Sequence, residues 1–218
     1  MKKAERLSGL YVITDGSTGR ELLHKVELTL RGGARLVQYR DKAPDAERKR
    51  KDGLDLRKLC ATYDALLIVN DDISLAADIG ADGVHLGRHD ADIIEGRTTL
   101  GAGAIVGVSC YNQLALAHTA ENGSADYIAF GSVFPSPTKP DAVRADLALL
   151  RQSRRELSIP VCAIGGITLD NAPSLLAAGA DMLAVISAVF AQADPQAAAS
   201  GFSKLYTADA NVIREEVT

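Results

Sequence analysis

Gly179-Ala180-Asp181-Met182-Leu183-Ala184-Val185-Ile186-Ser187 sets a small residue just ahead of a short apolar run, and the chain repeats this arrangement three more times. Gly33-Ala34-Arg35 stands before Leu36 to Arg40, Gly80-Ala81-Asp82 before Gly83 to Gly87, and Ser124-Ala125-Asp126 before Tyr127 to Ser132. In each case the small residue suits a helix end that needs a left-handed backbone, with a strand starting two or three residues later. Four further apolar runs, Leu10 to Thr14, Leu66 to Asn70, Ile105 to Cys110 and Val161 to Gly165, fall between the echoes. The eight runs are nearly continuous in apolar character, as in parallel strands buried on both faces, and most intervening segments carry helical spacing. Four βαβα quarters within 218 residues predict a single-domain α/β protein, a (β/α)8 TIM barrel of parallel strands with its core from about residue 9 to 195. The doubly wound sheet is the competing architecture. Nothing like GxGxxG follows the first run, and eight evenly spaced units favour closure. The polar stretch from about residue 196 to 218 reads as a final helix or a tail, with no function assigned to it.

Composition narrows the function classes. A hydrophobic fraction of 47% fits a soluble globular core, and no run of about 18 apolar residues suggests a membrane span. The start Met1-Lys2-Lys3-Ala4-Glu5-Arg6 is not followed by a signal-type apolar core, so a cytoplasmic protein is expected. The formal charge of -4 and an aromatic fraction of 5% without tryptophan argue against nucleic acid as a partner. The one basic run, Arg48-Lys49-Arg50-Lys51, is followed by Asp52 and Asp55 and reads as a solvated helix face. Cys60, Cys110 and Cys162 lie far apart in apolar segments, as reduced core residues do.

A barrel builds its active site from the C-terminal ends of its strands. The second strand candidate ends in Gln38-Tyr39-Arg40-Asp41-Lys42, whose alternate positions turn an amide and two cations one way, a pattern suited to gripping polyphosphate. A solvated strand end is the plain alternative. The third candidate ends in Asn70-Asp71-Asp72 and the fourth leads to Asp90, so carboxylates at neighbouring strand ends can share one hard cation such as Mg²⁺. An Asp at this point also suits the cap of the helix beginning Asp72-Ile73-Ser74. After the sixth candidate, Ser136-Pro137-Thr138-Lys139-Pro140-Asp141 offers two hydroxyls and an ammonium on a proline-stiffened loop that cannot be helical. Gly165-Gly166-Ile167 and Ile186-Ser187 follow the seventh and eighth candidates, where barrels commonly bind a phosphate. There is no GxSxG, and Ser109 has no evident partner histidine, so the chemistry is expected to rest on leaving-group departure. His85 in an apolar strand and His118 on a helix are expected to be structural.

Taken together, Gln38-Tyr39-Arg40-Asp41-Lys42, Val69-Asn70-Asp71, Gly83 to Gly87 with Asp90, Gly107-Val108-Ser109, Ser136 to Asp141, Ala163 to Ile167 and Val185-Ile186-Ser187 resemble the thiamine phosphate synthase family. The resemblance runs from Gly9 to about Pro195, with motifs in order on seven of eight strands. It implies a transferase of thiamine biosynthesis. Such an enzyme couples hydroxymethylpyrimidine diphosphate to a thiazole phosphate, or its carboxylated form, giving thiamine phosphate and diphosphate with Mg²⁺. By resemblance, Gln38, Tyr39, Arg40, Asp41, Lys42, Asn70, Ser109 and Lys139 hold the pyrimidine diphosphate. Arg40, Lys42, Lys139 and Ser109 are the groups implied in the chemistry. Asp71 and Asp90 take the Mg²⁺, and Ser136, Pro137, Thr138, Gly166, Ile186 and Ser187 the thiazole phosphate. Two departures stand out: Arg88-His89 where the family usually has Gln-Glu, and Ser136 where threonine is more usual. The implied partners are small molecules, with no nucleic acid and no membrane; a homo-oligomer is left open. A thiazole phosphate isomerase and a non-catalytic phosphate-binding barrel are the competing readings, and neither requires a diphosphate clamp beside metal carboxylates.

Overall fold

The computed structural model describes residues 3–87, 93–135 and 143–215. A short helix α1 (Lys3–Arg6) leads into β1 (Gly9–Ile13), α2 (Gly19–Arg31), β2 (Leu36–Tyr39), α3 (Ala46–Thr62), β3 (Leu66–Asn70), α4 (Ile73–Ile79) and β4 (Gly83–Leu86). The second half continues with α5 (Ile93–Leu100), β5 (Ile105–Tyr111), α6 (Leu114–Asn122), β6 (Tyr127–Gly131), α7 (Leu147–Glu156), β7 (Val161–Ile164), α8 (Ala172–Ala177), β8 (Met182–Val185), α9 (Ser187–Phe190) and α10 (Pro195–Glu215). All eight strand pairs are parallel, and β8 returns to β1 in the register Gly9↔Met182 to Val12↔Val185, closing the barrel. Each strand coincides with one of the eight apolar runs to within two residues, and α10 is helical to Glu215.

Closure explains why those runs do not alternate with polar residues. Tyr11, Leu36, Leu66, Ile68, Ile105, Tyr127, Cys162 and Met182 pack inside the barrel. Val12, Val37, Leu67, Val69, Val84 and Val106 face a second apolar layer between strands and helices. Two dry faces per strand require apolar residues at both parities.

The four echoes form one structural device. Gly33, Gly80, Ser124 and Gly179 all have positive φ, at 95°, 63°, 67° and 100°. The amides that follow them, Ala34, Ala81, Ala125 and Ala180, reach back to the carbonyls of Thr29, Ala76, Ala120 and Leu175 at 2.9 to 3.1 Å, the long bond of a Schellman turn. Three echoes then add an aspartate. Asp82, Asp126 and Asp181 accept the strand amides of Leu67, Val106 and Val161, each at 2.8 Å. The carboxylates thus tie the N-terminal rim together, while the opposite rim is left to the site.

The other sequence expectations resolve locally. The three cysteines are free and buried, and burial pushes the Cys60 and Cys110 thiols up to about 12. His118 on α6 meets Glu156 on α7 at 3.0 Å, a contact between helices. Among the described residues no helix is long and apolar enough to cross a membrane.

Candidate active site

The site begins at the end of β2. Gln38 is inside the barrel at 3% exposure, and strand alternation therefore sends Tyr39 to the outer layer, where its ring is buried against the helices. Tyr39 does not join the mouth. Arg40, half-buried, is fixed through its backbone by Thr14: the Thr14 hydroxyl donates to the Arg40 carbonyl at 3.0 Å and accepts from the Arg40 amide at 2.9 Å. Thr14, only 2% exposed, was no site candidate from sequence, because its role depends on the register in which β1 meets β2.

Beyond Arg40 a polar cleft of about 640 Å³ opens, lined by Asp41, Lys42, Lys49, Asn70, Asp71 and Asp72, among others. Lys49 belongs to the basic run expected to be a solvated helix face, and that expectation is corrected here. Lys49 faces the cleft, and Arg48 turns inward to meet Asp41 at 2.6 Å and the buried Asp52 at 3.3 Å. Only Arg50 and Lys51 are exposed as a solvated face would be, Arg50 pairing with Asp78 at 2.6 Å. Burial works to raise the Asp41 carboxyl, but the Arg48 guanidinium and the Ala43 amide outweigh it and hold the group below its ordinary value. Asp41 therefore stays charged and neutralised by Arg48. Lys42 and Lys49 supply the cationic lining of the cleft.

The pair Asp71-Asp72 divides two tasks between neighbours. Asp72 caps α4, accepting the Leu75 amide at 2.8 Å. Asp71 sits at φ 65°, a conformation that costs a non-glycine residue about 1–3 kcal/mol and is found preferentially at functional positions. Its amide donates to the His85 carbonyl at 2.9 Å, and the Asn70 side-chain amide holds its Oδ2 at 2.6 Å. An exposed Asp71 carboxylate in a cleft that also presents Asn70 and Asp72 is a donor set suited to Mg²⁺, which commonly takes one or two carboxylates and completes its shell with water and other oxygens. Among the described residues no three His, Cys, Asp or Glu side chains gather at one point. Asp90, with Arg88 and His89, lies outside the described residues.

On the far side of the mouth, the loop after β6 is pinned at its root. Ser132 exchanges backbone bonds with Val143 and Ala145 at 3.0 Å each, and Val133 and Phe134 donate to Ile164 and Gly165, also at 3.0 Å. Gly165 and Gly166 take φ of 104° and 63°, and a Cβ on Gly166 would stand 2.3 Å from the Pro135 carbonyl. Only glycine lets the two loops meet there. Ser136, Pro137, Thr138 and Lys139 lie outside the described residues; Ile186 is half-buried and Ser187, exposed, opens α9.

The expectation that Ser109 lacks a histidine is also corrected. Its Oγ lies 2.9 Å from His85 Nε2, and His85 Nδ1 lies 2.9 Å from the Tyr127 hydroxyl. Residues 24 and 42 positions apart meet because β4, β5 and β6 are adjacent in the barrel. The pair is not a nucleophile with its base. Burial pushes the Tyr127 phenol well up, so the histidine has a neutral partner where a catalytic triad places a carboxylate.

Fold and site together define a TIM barrel with a polar cleft, lined in part by lysines, at the C-terminal ends of its strands. A family described as thiamine monophosphate synthase matches residues 10–189. The thiamine-phosphate synthase of Thioalkalivibrio sulfidiphilus is 53% identical over 204 residues, covering 93% of this chain and 97% of its own. That of an Azoarcus species is 51% identical over 203 residues, covering 93% and 98%. Among solved structures, thiamine phosphate pyrophosphorylase from Pyrococcus furiosus superposes with a TM-score of 0.85 at 38% identity, covering 93% of this chain and 97% of the other. The chain belongs to the thiamine monophosphate synthase family, transferases of thiamine biosynthesis.

Proposed function

We propose that this enzyme joins hydroxymethylpyrimidine diphosphate to a thiazole phosphate or its carboxylated form, releasing diphosphate, in a substitution where the leaving group departs first. The observation that carries this reading is the cleft at the ends of β2 and β3. There Lys42 and Lys49 face the carboxylate of Asp71, a setting for a polyanion rather than for a monophosphate alone. A barrel that only isomerised or bound a thiazole phosphate would have no use for it.

An aminopyrimidine can share nitrogen electron density with the adjacent methylene, so the carbon–oxygen bond can ionise once the diphosphate charge is balanced. Lys42, Lys49 and Arg40 supply that balance, and the family resemblance adds Lys139 to them. Mg²⁺ held by Asp71 and Asp90 would add charge stabilisation to the departing diphosphate. Gln38, Asn70 and Ser109 orient the pyrimidine diphosphate. Ser136, Thr138, Gly166, Ile186 and Ser187 hold the thiazole phosphate so that its ring nitrogen meets the methylene. No strong base is needed: the work is alignment, electrostatics and exclusion of water.

The test is a kinetic split. Replacing Lys42 and Lys49 together by alanine should raise the KM for the pyrimidine diphosphate and the inhibition constant of diphosphate by about tenfold or more, the loss expected for charged hydrogen bonds. The KM for thiazole phosphate should stay within about twofold. A double variant that weakens thiazole phosphate and spares diphosphate would overturn the assignment of this cleft.

A further inference from the structure

Five polar side chains from five strands form one hydrogen-bonded line through the barrel. Gln38 Nε2 donates to the Tyr11 hydroxyl at 2.9 Å, the hydroxyls of Tyr11 and Tyr127 are 2.9 Å apart, and the line continues through His85 to Ser109. Tyr11, Tyr127, Gln38 and His85 are 1%, 0%, 3% and 8% exposed. The rings are locked as well: Tyr11 meets Tyr127 edge-on at 6.1 Å between centroids, and His85 stacks on Tyr127 at 5.5 Å. A Cβ on Gly107 would lie 2.0 Å from Tyr127 Cζ, so the line exists only because β5 carries glycine there.

Each phenol has one hydrogen, and burial keeps both phenols protonated. One direction leaves no phenol hydrogen of the line without an acceptor within it. The Gln38 amide nitrogen donates to Tyr11, so within the line the Tyr11 hydrogen has the Tyr127 oxygen as its acceptor. In that direction Tyr127 donates to His85 Nδ1, and a neutral imidazole carries its hydrogen on Nε2, facing Ser109. Ser109 accepts that hydrogen and keeps its own to give. The two ends of the line, Gln38 and Ser109, are residues assigned above to the pyrimidine diphosphate. We propose that Tyr11, Tyr127 and His85 are positioning residues that transmit a single hydrogen-bond polarity from Gln38 to Ser109, so that the Ser109 hydroxyl meets the pyrimidine diphosphate as a donor. The use made of that donor rests on the proposed function; the polarity itself does not.

Nitrogen-15 NMR of histidine-labelled enzyme decides the polarity without any turnover. His85 is expected as the neutral Nε2–H tautomer, and an Nδ1–H tautomer would overturn the proposal. Gln38→Glu places an acceptor-only carboxylate at the head of the line. Measured above pH 8, it should reverse the direction and move the His85 hydrogen to Nδ1, an effect that Tyr127→Phe should abolish. A His85 signal that ignores Gln38→Glu while the carboxylate is ionised would also overturn it.

The functional half is read from a double-mutant cycle on kcat/KM for the pyrimidine diphosphate. Ser109→Ala and Tyr127→Phe should each cost about tenfold, yet together cost no more than about twofold beyond Ser109→Ala alone. Additive losses in folded variants would remove the positioning role even with the tautomer as expected. Tyr11→Phe, which cuts the line at another point, should repeat the pattern if Tyr127→Phe does not fold. An enzyme that makes no thiamine phosphate would sink the functional reading and leave the tautomer result standing.

Discussion

At the scale of single residues, the site depends on neighbours with different duties. Asp71 and Asp72 are identical in type and adjacent in sequence, yet only Asp72 caps a helix. Asp72→Ala should therefore cost about 1 kcal/mol of stability in a melt, with kcat within a few-fold of the parent. Asp71→Ala should leave the melting temperature almost unchanged and abolish Mg²⁺-dependent turnover; a variant near the parent rate would remove Asp71 from the metal role. Thr14 offers a second test. Thr14→Val keeps the shape and deletes both bonds to the Arg40 backbone, a loss of about 1–3 kcal/mol that should appear as a lower kcat/KM for the pyrimidine diphosphate. The Asp41–Arg48 pair predicts a pH dependence. Because the Asp41 carboxyl is held below its ordinary value, its contribution to stability is present above about pH 4 and disappears as pH falls through the lower, folded value. Parent and Asp41→Asn melting temperatures should differ at pH 7 and converge in acid.

At the scale of elements, the repeated turn was readable because each quarter solves the same local problem. Reversing from helix to strand needs a positive φ, which points to glycine, and Ser124 satisfies it without being one. The aspartates after the turn were visible as a pattern, but their task was not, since it is to accept an amide on the strand before. Asp82→Ala would leave the buried Leu67 amide without its carboxylate. The expected loss of about 1–3 kcal/mol corresponds to roughly 2–4 °C of melting temperature per kcal/mol, with kcat unchanged because the clamp is on the rim away from the site. The basic run of α3 shows where pattern reading fails. Charge spacing marks Arg48, Lys49, Arg50 and Lys51 as alike, whereas rotation about the helix sends one to buried aspartates, one to the cleft and two to solvent.

At the scale of the whole molecule, closure decides which residues the sequence could reveal. The position of Asn70 and Asp71 at the cleft was legible because they close an apolar run, and a barrel gathers strand ends at one mouth. Tyr39 entered by resemblance alone, and alternation with Gln38 sets its ring in the outer layer. The line from Gln38 to Ser109 was not legible at all: its contacts span 27, 116, 42 and 24 residues, and the longest, from β1 to β6, joins the two halves only in the closed barrel. The central claim is that this barrel couples two substrates by releasing diphosphate. It is tested most directly by supplying purified enzyme with hydroxymethylpyrimidine diphosphate and thiazole phosphate, with and without Mg²⁺, and following diphosphate and the mass of thiamine phosphate together. The account predicts both products in equal amounts and only with the metal; thiazole phosphate binding without any coupled product would contradict it.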